Sequence, residues 1–103
     1  MTYRLVPRKR IEFVIDAAVQ PRLLRRLEEA GQHDFTVLPA LAGHGRHGSW
    51  SREGGIGAAG RYVRVLCDID LERLPAVLDL AADLVRNGTA SVAVLDVAHV
   101  AVD

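Results

Sequence analysis

Residues 10–31, with the sequence RIEFVIDAAVQPRLLRRLEEAG, place a β-strand directly before an amphipathic helix. The strand is indicated by large apolar residues at every second position, which are Ile11, Phe13 and Ile15. The helix is indicated by apolar residues at helical spacing, which are Leu23, Leu24, Leu27 and Ala30. Pro21 suits the first turn of this helix and Gly31 its end, so the stretch predicts one β–α unit.

The rest of the chain repeats this pattern around one long insertion. Residues 1–9 are interpreted as a lead-in, and a second strand is predicted at 33–41, where Pro39 indicates a sheet edge because proline cannot donate to a ladder. A third strand is predicted at 61–69, and a last strand, with room for a short extra one, at 92–102. Between them lies a helix that Asp70 can cap and that Asn87 and Gly88 end. Its apolar stripe is Leu71, Leu74, Val77, Leu78, Ala81, Leu84 and Val85. The order predicts an α+β, ferredoxin-like β-α-β-β-α-β fold.

One face of the predicted sheet has no helix to cover it. The strands nevertheless carry apolar residues on that side, which are Val14, Leu38, Leu66 and Leu95. Because such a face needs a partner, the sequence predicts a homo-oligomer.

Composition limits the possible functions. The chain has 103 residues, 50% of them hydrophobic, with 13 basic and 13 acidic side chains, which predicts one domain over 1–103 and gives no basic excess for nucleic-acid binding. The single cysteine, Cys67, lies in an apolar run and is expected to be a buried thiol in a reducing compartment. Without a long apolar stretch or a signal core, we expect a soluble, cytoplasmic protein.

Residues 42–60, AGHGRHGSWSREGGIGAAG, contain seven of the nine glycines. A loop of this length is unusual in a compact domain and is often functional. Gly43 and Gly45 allow backbone amides to converge on an anion, and Arg46 adds donors suited to phosphate. A flexible surface loop without a ligand is the alternative at this point.

The stretches RIEFVIDAAVQPRLLRRLEEAG and FTVLPALAGHGRHG together resemble the PII signalling proteins and their PII-like relatives. The matching motifs are Ile11-Glu12, Ala30-Gly31, Thr36-Val37 and Gly43-His44-Gly45-Arg46. The resemblance implies a homotrimer that binds adenine nucleotides in clefts between subunits, with a T-loop at about 42–60. It implies a sensor and not an enzyme. The nucleotide-binding candidates carried over are Gly43, Gly45, Arg46, His47, Gly88 and Thr89.

Departures from the family pattern refine what the resemblance implies. His47 replaces a glutamine, the second phosphate-binding turn is reduced to 87–89, and the basic C-terminal segment is missing, so ADP or AMP is favoured over ATP. The loop has no tyrosine at its tip, which disfavours control by nucleotidylation. Trp50, Arg52 and Glu53 are the candidates for docking a target such as a membrane transporter or an enzyme. The loop is most similar to PII-like members linked to inorganic carbon, some of which bind bicarbonate.

Two other classes of function fit the sequence less well. A metal-binding trimer similar to the CutA family would need His44, His47 or Cys67 to converge, whereas two histidines on a loop supply too few ligands alone, so no metal is expected. Catalysis is disfavoured because no nucleophile lies in a recognisable triad pattern. Asp68 and Asp70 have a sufficient structural role at a strand end and a helix start.

Overall fold

A computed structural model describes residues 1–45, 48–51 and 62–103, with the backbone alone described at 48–51. Its strands and helices are β1 (Tyr3–Asp16), α1 (Gln20–Glu29), β2 (Thr36–Pro39), β3 (Ala42–Gly45), β4 (Gly48–Ser51), β5 (Tyr62–Ile69), α2 (Leu74–Arg86) and β6 (Ala90–Val102). Short 3-10 turns, Ala17–Val19 and Leu71–Arg73, precede the two helices. No helix in these ranges is long and apolar enough to cross a membrane.

The main sheet of the described chain is antiparallel, with the strand order β2-β5-β1-β6. The first strand is therefore central and lies between the third and last strands of the predicted order. A separate two-stranded ribbon, β3–β4, lies within the glycine-rich insertion. This order confirms the predicted ferredoxin-like fold.

The hydrophobic core lies between the helices and one face of the sheet, which we call the helix face. Its strand residues alternate as the sequence predicted, and the fully buried ones include Ile11, Phe13, Val65 and Ile69. Leu23 and Leu27 of α1 pack on them with Val77, Leu80, Ala81 and Leu84 of α2. The opposite face, which we call the open face, carries no helix.

The predicted apolar stripe of α2 is wrong at three positions. Leu71, Leu78 and Val85 are exposed, and Leu80 is buried in their place. Leu71 lies in the 3-10 turn before the helix begins at Leu74, and Leu78 and Val85 lie on the solvent side of the buried stripe. Pro75 lies in the first turn of the helix, as expected.

The strand ends differ from the prediction in ways that pairing explains. β1 begins at Tyr3, so residues 3–9 are not a lead-in; they pair with residues 96–102 of β6. β2 is shorter than predicted and ends at Pro39 on the sheet edge, as proline requires. β6 is one continuous strand from Ala90, without a separate extra one. Asp70 makes no side-chain cap and instead pairs with Arg8.

Candidate functional site

The glycine-rich insertion leaves the sheet at one end, where the backbone closes its base. The N–H of Ala40 donates to the carbonyl of Tyr62 at 3.0 Å. In the register of the sheet, Tyr62 lies opposite Asp16 on β1, and Ala90 lies opposite the adjacent Ile15. The base of the insertion and the turn before β6 therefore share this end of the sheet, two strand spacings, or roughly 10 Å, apart.

The first part of the insertion forms a ribbon and not a structureless loop. Gly43 pairs with Trp50, and Gly45 pairs with Gly48. In this pairing Gly43 and Gly45 are part of the extended strand β3. Their role in nucleotide binding stays a prediction. Arg46, His47, Arg52 and Glu53 lie outside the described residues, as do the side chains of the ribbon beyond Gly45.

The turn between α2 and β6 is built from helix-capping hydrogen bonds. The N–H of Gly88 donates to the carbonyl of Val85 at 3.0 Å, and the N–H of Thr89 donates to that of Leu84 at 2.9 Å. Gly88 has φ +69°, the left-handed conformation of a helix end. These two amides are thus engaged within the chain, which leaves the half-buried Thr89 hydroxyl as the candidate donor of this turn toward a phosphate.

A charged cluster, which the sequence did not reveal as such, lies on the open face at the other end of the sheet. Arg10 donates to both carboxylate oxygens of Asp68, from Nε at 2.6 Å and from Nη2 at 2.9 Å. The Nε2 of His99 lies 2.5 Å from Oδ2 of the same carboxylate. The hydrogen bond from Arg10 is the main cause that lowers the pKa of Asp68 to about 2. The sheet register places Arg10 directly opposite Asp68, although the two residues are far apart in the sequence.

A shallow depression of about 190 Å³ adjoins this cluster. It is lined by Arg10, Asp34, Phe35, Thr36, Leu66 and Asp68. The buried Gln32 holds its rim, because its Nε2 donates to the carbonyl of Asp34 at 2.8 Å. The depression lies at the end of the sheet opposite the base of the insertion and opposite the turn at Gly88 and Thr89.

The residues considered for a metal site do not converge in the described part of the chain. Cys67 is 1% exposed on the helix face, and burial raises the pKa of its thiol to about 12. His44 lies on β3, outside the main sheet. No group of three His, Cys, Asp or Glu side chains placed to hold a metal ion occurs within the ranges that the structure describes. His47 lies outside those ranges.

The sheet is antiparallel in the order β2-β5-β1-β6, has two helices on one face, and is interrupted by a long insertion between β2 and β5. These features define a ferredoxin-like α+β protein with a long loop. Residues 8–102 match the family model of nitrogen regulatory protein P-II. The chain therefore belongs to the P-II family, and it is a divergent, PII-like member of it. A comparison with curated protein sequences gives no match.

Solved structures of PII-like proteins share the fold. CPII from Thiomonas intermedia K12, a nitrogen regulatory PII-like protein bound to ADP, AMP and bicarbonate, superposes with a TM-score of 0.79 at 20% identity, covering 93% of this chain and 91% of that one. Its apo form gives 0.74 at 17% identity, covering 98% and 100%. A putative PII-like signalling protein from Thermus thermophilus gives 0.65 at 21% identity, covering 92% and 90%.

Proposed function

We propose that this protein is a cytoplasmic, non-enzymatic PII-like signalling protein that binds an adenine nucleotide, with ADP or AMP favoured, and controls a target through its T-loop. The observation that carries the proposal is the shared position of the loop base and the α2–β6 turn at one end of a P-II sheet. The structural neighbour CPII, which is described as bound to ADP, AMP and bicarbonate, supports the same ligand class. Bicarbonate is the second ligand that we propose to test.

The proposed nucleotide site lies in a cleft between subunits, to which each subunit contributes residues from both sides of β1. The loop base supplies Gly43, Gly45, Arg46 and His47. The turn supplies the Thr89 hydroxyl, and Gly88 gives the turn its left-handed conformation. The first segment follows β2, which lies three strand spacings, or roughly 14 Å, from β6, and a nucleotide can span this separation because its phosphates and base can reach different segments. Arg46 would supply the charge-assisted contacts to phosphate. Trp50, Arg52 and Glu53 are proposed to dock the target, a transporter or an enzyme.

The proposed assembly is a homotrimer that buries the open face. This face combines half-exposed apolar residues, such as Leu38 and Leu95, with charges that are already paired inside the subunit. Arg64 donates to Glu12 at 2.6 Å, and Arg10 is held by Asp68. Because each of these charges is already paired within the subunit, each would keep its counter-charge when the open face is buried.

Calorimetric titration tests the ligand, and sedimentation tests the assembly. The protein is titrated with ADP, AMP and ATP, each with and without bicarbonate, and zinc is titrated separately. We expect saturable binding of ADP or AMP, weaker binding of ATP, and the sedimentation of a species that contains three subunits or a multiple of three. Absence of binding for every adenine nucleotide would overturn the proposed ligand, and a stable monomer would overturn the proposed clefts between subunits.

A further inference from the structure

The first and last strands continue past the helices as a two-stranded ribbon. β1 pairs with β5 only as far as Lys9, whereas it pairs with β6 as far as Tyr3. The N–H of Asp103 also donates to the carbonyl of Thr2 at 3.1 Å, which closes the end of the ribbon. This part of β1 has no pairing with β5, so the ribbon extends past the four-stranded part of the sheet.

The helix face of this ribbon is apolar and uncovered. Because side chains alternate along each strand, Tyr3 and Leu5 share this face with their register partners Val102 and Val100. Their side chains are strongly exposed, at 67% for Tyr3, 62% for Leu5, 66% for Val100 and 60% for Val102. We call this group of four residues the apolar shelf. Its exposed surface is on the order of 400 Å², the size at which a patch on a monomer is often functional.

The bend of the ribbon keeps the shelf away from the rest of the subunit. In register, His99 lies opposite Val6, whereas Asp68 lies opposite Arg10, two strands and four residues away. A flat sheet would separate their Cα atoms by roughly 17 Å, too far for a hydrogen bond between these side chains. The 2.5 Å contact between them therefore requires the ribbon to bend toward the open face. The shelf, on the outer side of this bend, turns away from the helices.

The sizes of the residues along the ribbon fit a second copy of the same ribbon. The large pair Tyr3 and Val102 lies at the outer end, and the small pair Pro7 and Ala98 lies two positions inward of Leu5 and Val100. A two-fold axis that crosses the strands at Leu5 and Val100 places the large pair of each copy over the small pair of the other. It also brings each Leu5 onto its equivalent.

Charge is compatible with the same arrangement. On the helix face the shelf ends at the ion pair between Lys9 and Asp96, which is closed within one subunit. Asp96 remains 84% exposed, so one of its oxygens can accept a hydrogen bond from the Tyr3 hydroxyl of the second copy. With Pro7 and Ala98 included, two copies would bury on the order of 1,000 Å², the lower limit for a specific interface.

We propose that the apolar shelf is a self-association surface, on which two copies of this chain pack ribbon to ribbon about a two-fold axis. This contact is additional to the open face. Combined with the proposed trimer it gives a closed hexamer with both two-fold and three-fold axes. Without the trimer it gives a dimer, so the prediction of a doubled mass does not depend on the proposed function.

Sedimentation velocity and light scattering over a wide concentration range test the shelf. Leu5→Glu places a charge on the proposed axis, and we expect the wild type to have twice the mass of this variant. Val85→Glu, at an exposed apolar residue of α2, is the matched control and should keep the wild-type mass. Equal masses for the wild type and Leu5→Glu would overturn the proposal. Equal masses are also the expected result if the shelf binds another protein or a lipid surface instead of a second copy.

A cysteine cross-link keeps the test decisive if Leu5→Glu does not fold. Leu5→Cys should form a disulfide between two copies under mild oxidation, because each Leu5 faces its equivalent on the proposed axis. Val85→Cys should stay unlinked, and the buried Cys67 does not compete. Failure of Leu5→Cys to cross-link in a folded protein would overturn the arrangement. The affinity of Leu5→Glu for ADP is measured separately and is expected to equal that of the wild type. A failure of the proposed self-association can then be distinguished from a failure of the proposed nucleotide binding.

Discussion

Arg10 and Asp68 form a two-pronged ion pair across the two central strands of the sheet, with both carboxylate oxygens engaged at 2.6 and 2.9 Å. His99 of β6 adds a contact to the same carboxylate, so one aspartate links three neighbouring strands. Bidentate pairs of this kind are stronger and more directional than single hydrogen bonds. The cluster therefore ties β5, β1 and β6 together on the open face, at the end of the sheet opposite the glycine-rich insertion.

Replacing Asp68 with asparagine should change how stability depends on pH. The pKa of Asp68 is lowered from 3.8 to about 2, so its contribution to the free energy of unfolding is fully present above 3.8 and is lost as the pH falls through about 2. We expect Asp68→Asn to lower stability by about 1 to 2 kcal/mol at neutral pH and to flatten this acid decline. Urea unfolding at neutral pH and near pH 2 measures both effects. The exposed Asp79→Asn on α2 is the control, and an equal effect of the two variants would contradict the assignment.

Arg46→Ala should weaken nucleotide binding without disturbing assembly. Losing one charge-assisted contact to phosphate costs on the order of 1.5 to 3 kcal/mol, or about tenfold to a hundredfold in affinity. Calorimetry with ADP and AMP measures the change. Arg22→Ala, on α1, is the control. If both variants bind as tightly as the wild type, the phosphate site does not include Arg46.

Nucleotide binding should be sensed at the base of the T-loop. We expect ADP or AMP to slow hydrogen exchange of the amides at 43–47 while leaving α1 and α2 unchanged, because a ligand that orders the loop base leaves the core as it is. Mass spectrometry of peptides from the exchanged protein resolves these segments. If hydrogen exchange slowed equally in α1 and α2, the result would argue against the loop as the element that transmits nucleotide binding.

Deleting residues 49–57 should abolish docking of a target while sparing the trimer. The deletion removes Trp50, Arg52 and Glu53 together and leaves every strand of the main sheet intact. Sedimentation of the shortened protein measures its assembly. Loss of the trimer would show that the loop has a structural role.

Gly88→Ala should destabilise the end of α2 without a steric clash. A Cβ at this position meets nothing within 4 Å, but φ of +69° costs a non-glycine residue about 1 to 2 kcal/mol. Gly88→Asn is the matched variant and should lose less, because asparagine tolerates the left-handed conformation. Thermal unfolding measures both losses. An alanine variant as stable as the wild type would mean that the turn changes its conformation at no cost.

Cys67 should behave as an inert core residue. With its side chain buried and its pKa raised to about 12, we expect no alkylation at neutral pH until the protein unfolds. Labelling with and without urea, followed by mass measurement, tests this. Any zinc binding should be unchanged by Cys67→Ala. Rapid labelling of the native protein, or zinc binding that depends on this thiol, would revive the metal-binding alternative.

The fold was predictable because its signals are local. Each signal depends on residues close together in the sequence. These signals are the alternation of Ile11, Phe13 and Ile15, the spacing of the leucines in α1, and the glycines that end the helices, Gly31 and Gly88. The extra length of β1 was not predictable in this way. Residues 3–9 are a strand because distant residues of β6 pair with them, and Pro7 interrupts the local strand signal.

The candidate site was only partly predictable, for a related reason. The sequence predicts an anion nest at Gly43 and Gly45, because glycine permits that conformation, but it does not predict that they pair with Trp50 and Gly48. Asp68 could not be joined to Arg10 and His99 from the sequence. Their contact depends on the sheet register and on the bend of the ribbon formed by β1 and β6, and no short motif encodes either of these.

The central position of β1 has a consequence for the route by which the protein folds. Each neighbour of this strand in the sheet, β5 and β6, comes from the second half of the chain, and Tyr3 pairs with Val102, nearly the whole chain away. A helix can form as soon as it is synthesised, but the sheet cannot be completed until β6 has been made. Non-local pairing of this kind slows folding, so we expect β1 to be the strand with the longest exposure to solvent or chaperones during synthesis.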